Sequence, residues 1–295
     1  MLLLIITSLI WAFSFGLIKG GLEGIASPVI ALMRLGVAFA VFLPFFRPQK
    51  LPFPIVIRLL ATGAIQYGLM YLFYIEAFRY LKAYEIALFT VFTPFFVTII
   101  NDLSEKKINK VALLSGLLAV VGGIIIQYSQ LTSAELQKGF VLMQVSNLCF
   151  AFGQIYYRQV MSKAPPEKSD LQMFSLLYLG ATLAVIPVAA PQCTTAIITA
   201  RQFLILFYLG AIASGLGFFL WNSGARSVNP GTLAVFNNLK IPLGIIVSIV
   251  FFGESTNLPR LFAGGAMILL ALLLNERSAL PLGLMRTQTP IKKTI

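Results

Sequence analysis

An all-α membrane protein, with ten transmembrane helices folded as two inverted five-helix repeats, is the fold class this sequence predicts. Composition is the first observation behind it. Of 295 residues, 58% are hydrophobic and only 11% charged, with a mean hydropathy of +0.89. A soluble domain carries about a quarter charged residues, so too little polar surface exists here to cover a globule in water. Segment length is the second: ten apolar runs approach the roughly 20 residues needed to span hydrocarbon as a helix. The third is that features of the first five runs recur, in order, in the last five.

The first run, 2–19, has no basic leading segment and ends at Lys19 without a small-residue cleavage pattern. It reads as a membrane helix and not as a cleaved signal peptide. The others cover 28–46, 56–78, 84–100, 111–128, 139–157, 171–190, 202–224, 231–252 and 260–275. Proline, glycine and charge separate them, as at Gly20-Gly21, Arg47-Pro48, Lys82, Pro165-Pro166, Pro191, Asn229-Pro230 and Gly253-Glu254. The segment 280–295 is expected to be a disordered cytoplasmic tail.

Orientation follows from lysine and arginine in the short connections. With the N-terminus in the cytoplasm, the cytoplasmic side holds fourteen of them and the opposite side six, leaving Arg34 and Lys240 inside helices. Both termini are then cytoplasmic, in a bacterial inner membrane. The net charge of +12 does not mark a nucleic-acid partner, because the basic residues are scattered through those connections. No histidine occurs, which removes histidine bases, triads and histidine metal sites. Cys149 and Cys193 form neither a disulfide framework nor a metal site. Neither a metal nor a cofactor is expected.

The repeat is visible in four places. Phe150-Ala151-Phe152 to Tyr157-Arg158 aligns with Trp11-Ala12-Phe13 to Ile18-Lys19. Gly63-Ala64-Ile65 and Gly68-Leu69 align with Gly210-Ala211-Ile212 and Gly215-Leu216. Pro94 answers Pro242, and Glu105 answers Glu254. The expected units are 1–128 and 139–276. Five helices per unit make the two insert with opposite orientation, which places a binding site near the midplane between them.

Polar residues inside these runs are the candidate site. Lys240 sits in the middle of its run, where an ionised side chain is costly unless it faces a cavity or a partner. Two readings fit: it binds a solute carboxylate, or it pairs with a glutamate to lock helices together. Asn237 and Asn238 surround it, and Pro242 frees the carbonyl of Asn238 as Pro94 frees that of Thr90. Freed carbonyls are tolerated only inside protein or along a wet cavity. Trp11, Tyr71, Tyr74 and Trp221, with Ser14, Asn147 and Asn222, give an apolar-plus-polar lining for a small amphipathic solute. Arg34 is a second anion contact, a gate charge or a structural ion-pair partner. Glu76 and Arg79 can pair locally at i,i+3, and Glu85 suits a helix N-terminus. Either glutamate could instead couple transport to protons, since a shielded carboxylate titrates near neutral pH. Small residues Gly122, Gly123, Gly264 and Gly265 allow close helix approach, within the molecule or in a homodimer.

The five-plus-five pattern and the loop Gly253-Glu254-Ser255 resemble the EamA-type carriers of the drug/metabolite transporter superfamily, over about residues 1–276. Stretches such as Leu9 to Phe15, Leu88 to Val91 with Thr93-Pro94, Trp221-Asn222 and Asn237-Asn238 resemble its carboxylate, amino-acid and amine carriers. That resemblance implies a secondary transporter, not an enzyme, whose partners are the lipid bilayer and a small solute. It implies uptake of a carboxylate vitamin, biotin, with Lys240 meeting the carboxylate. The alternative is export of amino acids or related metabolites. An intramembrane enzyme would need clustered titratable groups, and these are missing.

Overall fold

The computed structural model describes residues 2–48, 51–105, 110–127, 134–163, 170–226, 230–254 and 257–279; within these, the side chains of 225–240 and of several positions in 105–127 and 272–279 lie outside the description. Among the described residues the structure is helical, without strands. In chain order the helices are α1 (Leu2–Gly21), α2 (Ser27–Phe42), α3 (Phe53–Ala77), α4 (Ala83–Ser104) and α5 (Lys110–Gln127). There follow α6 (Ala134–Met161), α7 (Asp170–Cys193), α8 (Ala200–Gly224), α9 (Pro230–Phe252) and α10 (Leu258–Ala279). Seven of them, α1 to α4 and α6 to α8, are long and apolar enough to cross a membrane, and α9 and α10 supply the shorter apolar segments Ile241–Phe252 and Leu258–Ala271. Large apolar side chains such as Phe53, Leu103, Val250 and Phe262 stand exposed around the bundle. A water-soluble monomer rarely shows so much apolar surface; lipid satisfies it.

Local chemistry sets the helix ends. Pro28 opens α2 in the first turn, where its missing N–H is no loss. Thr199 caps α8: the Gln202 N–H donates to its Oγ1 at 3.2 Å, while the Thr199 N–H donates to Gln202 Oε1 at 3.0 Å. Gly24, between α1 and α2, has φ of 82° and Gly253, after α9, has 65°; both need the left-handed region that glycine enters freely.

Prolines behave differently from the expectation at two places. Pro191 was expected to end α7, yet the helix runs through Pro187 and Pro191 to Cys193. A proline this near the C-terminus removes a single ladder bond, and the flanking turns carry the helix past it. The paired backbone breaks are not symmetrical either. In α4 a 3-10 turn, Thr90–Phe92, precedes Pro94, whereas α9 stays helical through Pro242.

Two segments depart from the α-helix in a way periodicity does not announce: Ala64–Leu69 in α3 and Leu209–Leu216 in α8 are π-helical. A π-turn widens the ring of the backbone ladder and leaves carbonyls for other donors. Trp11 Nε1 of α1 donates to Ala213 O at 2.9 Å, and Tyr178 OH of α7 donates to Ser214 O and Gly215 O at 2.7 and 3.1 Å. Tyr178→Phe is expected to lower thermal stability in detergent by about 1–2 kcal/mol, since buried carbonyls would lose their donor.

Helix pairing has a recurrent form. α1 packs on α9 and α4 on α6; α2 packs on α8 and α3 on α7; α5 packs on α10. Gly122 permits the last contact, because a Cβ there would stand 2.7 Å from Gly264 O. The small-residue face of α5 is thus used within the chain.

Candidate functional site

A cavity of about 560 Å³, its mouth included, lies between α1, α2, α3, α4, α6 and α8, and about 70 Å³ of it is wide enough for water. The inner figure is well below the roughly 300–1,000 Å³ of small-molecule pockets, so the walls are drawn together and a solute has to widen the site. Trp11, Ser14 and Phe15 come from α1, Arg34 from α2, and Met70, Tyr71 and Tyr74 from α3. Thr90 and Thr93 come from α4, Met143, Ser146, Asn147 and Phe150 from α6, and Phe218 from α8.

One polar wall is built on the 3-10 turn of α4. Asn147 Nδ2 donates to Phe89 O at 2.8 Å and to Gln144 Oε1 at 3.2 Å, and Thr93 Oγ1 donates to Asn147 Oδ1 at 3.2 Å. The Thr90 carbonyl, which Pro94 cannot serve, takes the Thr93 N–H in the 3-10 turn, and Asn147 serves that of Phe89. Thr90 Oγ1 donates to Ala87 O at 2.7 Å, and Ser146 Oγ crosses to Met70 O at 3.1 Å. Asn147 ties α6 to α4 here, as Ser146 ties it to α3.

The other polar wall is a directed chain. Arg34 Nη2 donates to Tyr71 OH at 2.8 Å and its Nε to Ser214 Oγ at 3.2 Å. Tyr71 OH lies 2.8 Å from Ser214 Oγ, which donates to Leu209 O at 2.8 Å inside the π-segment. That last bond leaves Ser214 Oγ accepting from both Tyr71 and Arg34. The Arg34 Cζ stands 4.4 Å from the centre of the Tyr71 ring, within cation–π reach. Arg34 is 2% exposed, and its Nη1 has no hydrogen-bond partner among the described residues.

The cavity is closed unequally at its two ends. On one side Phe15 meets Tyr74 with ring centres 6.4 Å apart, and Tyr74 meets Phe78 at 5.1 Å. Beyond that single layer opens a second space of about 610 Å³, lined by Lys19, Glu23, Glu76 and Arg79 among others. Lys19 Nζ donates to Phe78 O at 2.6 Å, and Arg79 pairs with Glu76 at 3.0 Å. On the other side rings are stacked in depth: Trp11 on Trp221 at 5.1 Å, Tyr67 on Phe218 at 4.7 Å, Tyr67 on Tyr178 at 5.5 Å and Tyr178 on Phe42 at 5.4 Å.

The residues singled out from the sequence divide accordingly. Trp11, Ser14, Arg34, Tyr71, Tyr74, Thr90 and Asn147 line the cavity. Trp221 lies behind Trp11, fully buried, and Asn222 Nδ2 donates to Tyr67 OH at 2.9 Å, a layer back from the wall. Glu85 is buried at the start of α4, where its Oε2 accepts from the Lys82 N–H at 2.9 Å. Glu76 is held by Arg79 at the mouth of the second space. The side chains of Lys240, Asn237 and Asn238 lie outside the described residues. Phe15, Met70, Thr93, Met143, Ser146, Phe150 and Phe218 are wall residues that reasoning by residue type passed over. Among the described residues, no group of three His, Cys, Asp or Glu could hold a metal ion.

A multi-pass helical bundle around an amphipathic cavity defines a membrane carrier. The model of the EamA-like transporter family matches residues 1–128 and 137–276, and the chain belongs to that family: it is a transporter, not an enzyme. It is 37% identical over 285 residues to a protein of Salmonella typhimurium named "Biotin transporter", covering 95% of this chain and 94% of that one. It is 38% identical over 278 residues to a "Probable biotin transporter" of Pseudomonas aeruginosa, covering 92% and 96%. A "Probable amino-acid metabolite efflux pump" of Salmonella typhimurium is 23% identical over 287 residues. A solved crystal structure shares the fold at a TM-score of 0.69 and 13% identity, covering 94% of this chain and 97% of that one.

Proposed function

We propose that this chain is a secondary transporter that takes up biotin across the bacterial inner membrane by alternating access. The observation that carries the reading is identity of 36–38% along nearly the whole chain with proteins named biotin transporter. The cavity suits such a solute. Trp11, Phe150 and Phe218 offer flat apolar faces to a ring and chain, while Asn147 and Thr93 on one wall and Arg34 and Tyr71 on the other offer hydrogen bonds.

In the same reading the chain crosses the membrane ten times as two inverted units, 1–128 and 139–276, with both termini cytoplasmic. The helix pairing supports this, for exchanging each helix with the one five places away turns α1–α9 into α6–α4 and α2–α8 into α7–α3. Sequence counterparts also meet: Trp11 and Phe150 have ring centres 6.4 Å apart, and Tyr71 and Phe218 6.0 Å. Contact of a residue with its own counterpart is what a two-fold axis through the cavity produces. The thin Phe15–Tyr74–Phe78 layer then faces the periplasm, and the deep ring stack closes the cytoplasmic end. In this reading Lys240, Asn237 and Asn238 of α9 also bind the solute at the cavity wall. Trp221 and Asn222 back it. Glu76 and Glu85 stand at the periplasmic end, where either could couple transport to protons.

Uptake of tritiated biotin by biotin-auxotrophic cells expressing the chain tests the proposal. Accumulation above an empty vector, competed by unlabelled biotin and collapsed by a protonophore, is expected. Accumulation no higher than the vector, with the protein present in the membrane, sinks the biotin assignment. The 23% identical efflux relative favours a second reading, amino-acid export. Under that reading, expression raises resistance to inhibitory amino acids and leaves biotin uptake unchanged.

A further inference from the structure

Arg34 carries a positive charge into the middle of the bundle, and no carboxylate among the described residues lies within ion-pair distance of it. Burying a charge without a counter-charge is strongly unfavourable. The protein nonetheless holds this guanidinium in one place. Tyr71 fixes Nη2, Ser214 fixes Nε, and the Tyr71 ring lies against the planar face. Ser214 is itself held by Leu209 O in the π-segment of α8, so the irregular turn builds the socket. What is left over is Nη1, buried and unpartnered, on a residue of the cavity wall.

The crossing of α2 and α8 does not itself use the guanidinium, since Gly210 lies against Val37 and the backbone carbonyl of Arg34.

We propose that Arg34 is the anchor for the solute's carboxylate, a role that rests on the carrier reading above. Nη1 together with the second N–H of Nη2 makes a planar fork that matches the two oxygens of a carboxylate. The solute then supplies the counter-charge that the protein withholds. Because Nη1 is closed off from water, the anion reaches it only as the cavity widens, so charge neutralisation and the change of shape occur together.

Binding of tritiated biotin to purified protein in detergent, with biotin amide as competitor, tests the anchor. Wild type is expected to prefer the acid to the amide by about tenfold or more, the scale of a charge-assisted bidentate pair. Arg34→Met should lose that preference and keep the amide affinity, which shows its cavity intact. Where Arg34→Met does not fold, Arg34→Lys and Arg34→Gln carry the same comparison, with lysine intermediate. A wild-type preference for the acid in the folded Arg34 variant overturns the proposal. Should wild type bind neither ligand, the biotin assignment fails by itself. The anchor is then read from thermal shifts with monocarboxylates, amino acids and their matched amides. Stabilisation by an acid over its amide in wild type but not in Arg34→Met upholds it; no such acid, or the same preference in both proteins, overturns it.

Discussion

Gly180→Val is expected to deprive the membrane of correctly assembled protein. Two glycines make the crossing of α3 and α7. A Cβ on Gly180 would stand 2.7 Å from Leu60 Cα, and one on Gly63 would stand 2.7 Å from Leu177 Cα, with the neighbouring carbonyl oxygens closer still. The obstacle on each side is main chain, which has no rotamer to change. Overpacking a core against side chains costs about 1–3 kcal/mol, and against backbone the expected loss is about 3 kcal/mol or more by the same reasoning. That is a large share of a net stability of about 5–15 kcal/mol. The crossing also sets Tyr67 against Tyr178 at 5.5 Å and fixes the helix that carries Tyr71 and Tyr74 into the cavity. Fluorescence-detected size-exclusion yield and melting temperature read the effect. Gly36→Ala is the control, since a Cβ there meets nothing within 4 Å. Equal melting of the Gly180→Val and Gly36→Ala proteins would show that the close approach is not needed.

Much of this architecture is legible in the residues. Low charge and long apolar runs leave lipid as the only adequate solvent, and the described helices fall on the runs with shifted ends: α6 begins at Ala134 and not near 139. Part of the cavity was also legible, because a polar residue inside an apolar helix needs a partner. That rule finds Ser14, Arg34, Thr90 and Asn147, all on the wall. It cannot find Phe150 and Phe218, which look like any lipid-facing phenylalanine. The repeat could have found them. Phe150 aligns with Trp11, and Phe218 stands three residues past Gly215 as Tyr71 stands three past Gly68. In the proposed two-fold arrangement, residues that meet near the axis do so in pairs.

Other features left no readable trace. Gly63-Ala64-Ile65 and Gly210-Ala211-Ile212 were recognised as a repeat, but apolar periodicity is nearly the same for a π-turn and an α-turn. The hydrogen-bond register depends on Trp11 and Tyr178, donors that arrive from other helices. The socket of Arg34 left no trace either, because it consists of residues 37 and 180 positions away in the chain.

Replacing Glu254 is the second large effect expected, and it concerns motion more than binding. The loop after α9 turns at Gly253, whose φ of 65° lets the carboxylate of Glu254 reach the start of α4. There Oε1 accepts the Ala83 N–H at 2.8 Å and Oε2 the Tyr84 N–H at 3.0 Å. Glu85 Oε2 takes the Lys82 N–H, so two carboxylates satisfy three amides that a helix start leaves without intrahelical partners. A hydrogen bond to a charged group contributes about 1.5–3 kcal/mol, and a carboxylate at a helix N-terminus adds roughly 0.3–1 kcal/mol. Glu254→Ala should therefore destabilise the protein by about 3 kcal/mol. Glu254→Gln, with one acceptor oxygen for two N–H groups, should lie between. Hydrogen exchange at the Ala83 and Tyr84 amides reports the contact directly, and unchanged protection in Glu254→Ala would refute it. Glu254 does not line the cavity, so biotin affinity should hold while the transport rate falls. The reason is mechanical. Through Glu254 the α9–α10 corner grips the start of the helix that carries Thr90 and Thr93. In the alternating-access cycle proposed above, loss of that grip should therefore uncouple the movement of α4 from that of α9 and leave the cavity wall formed.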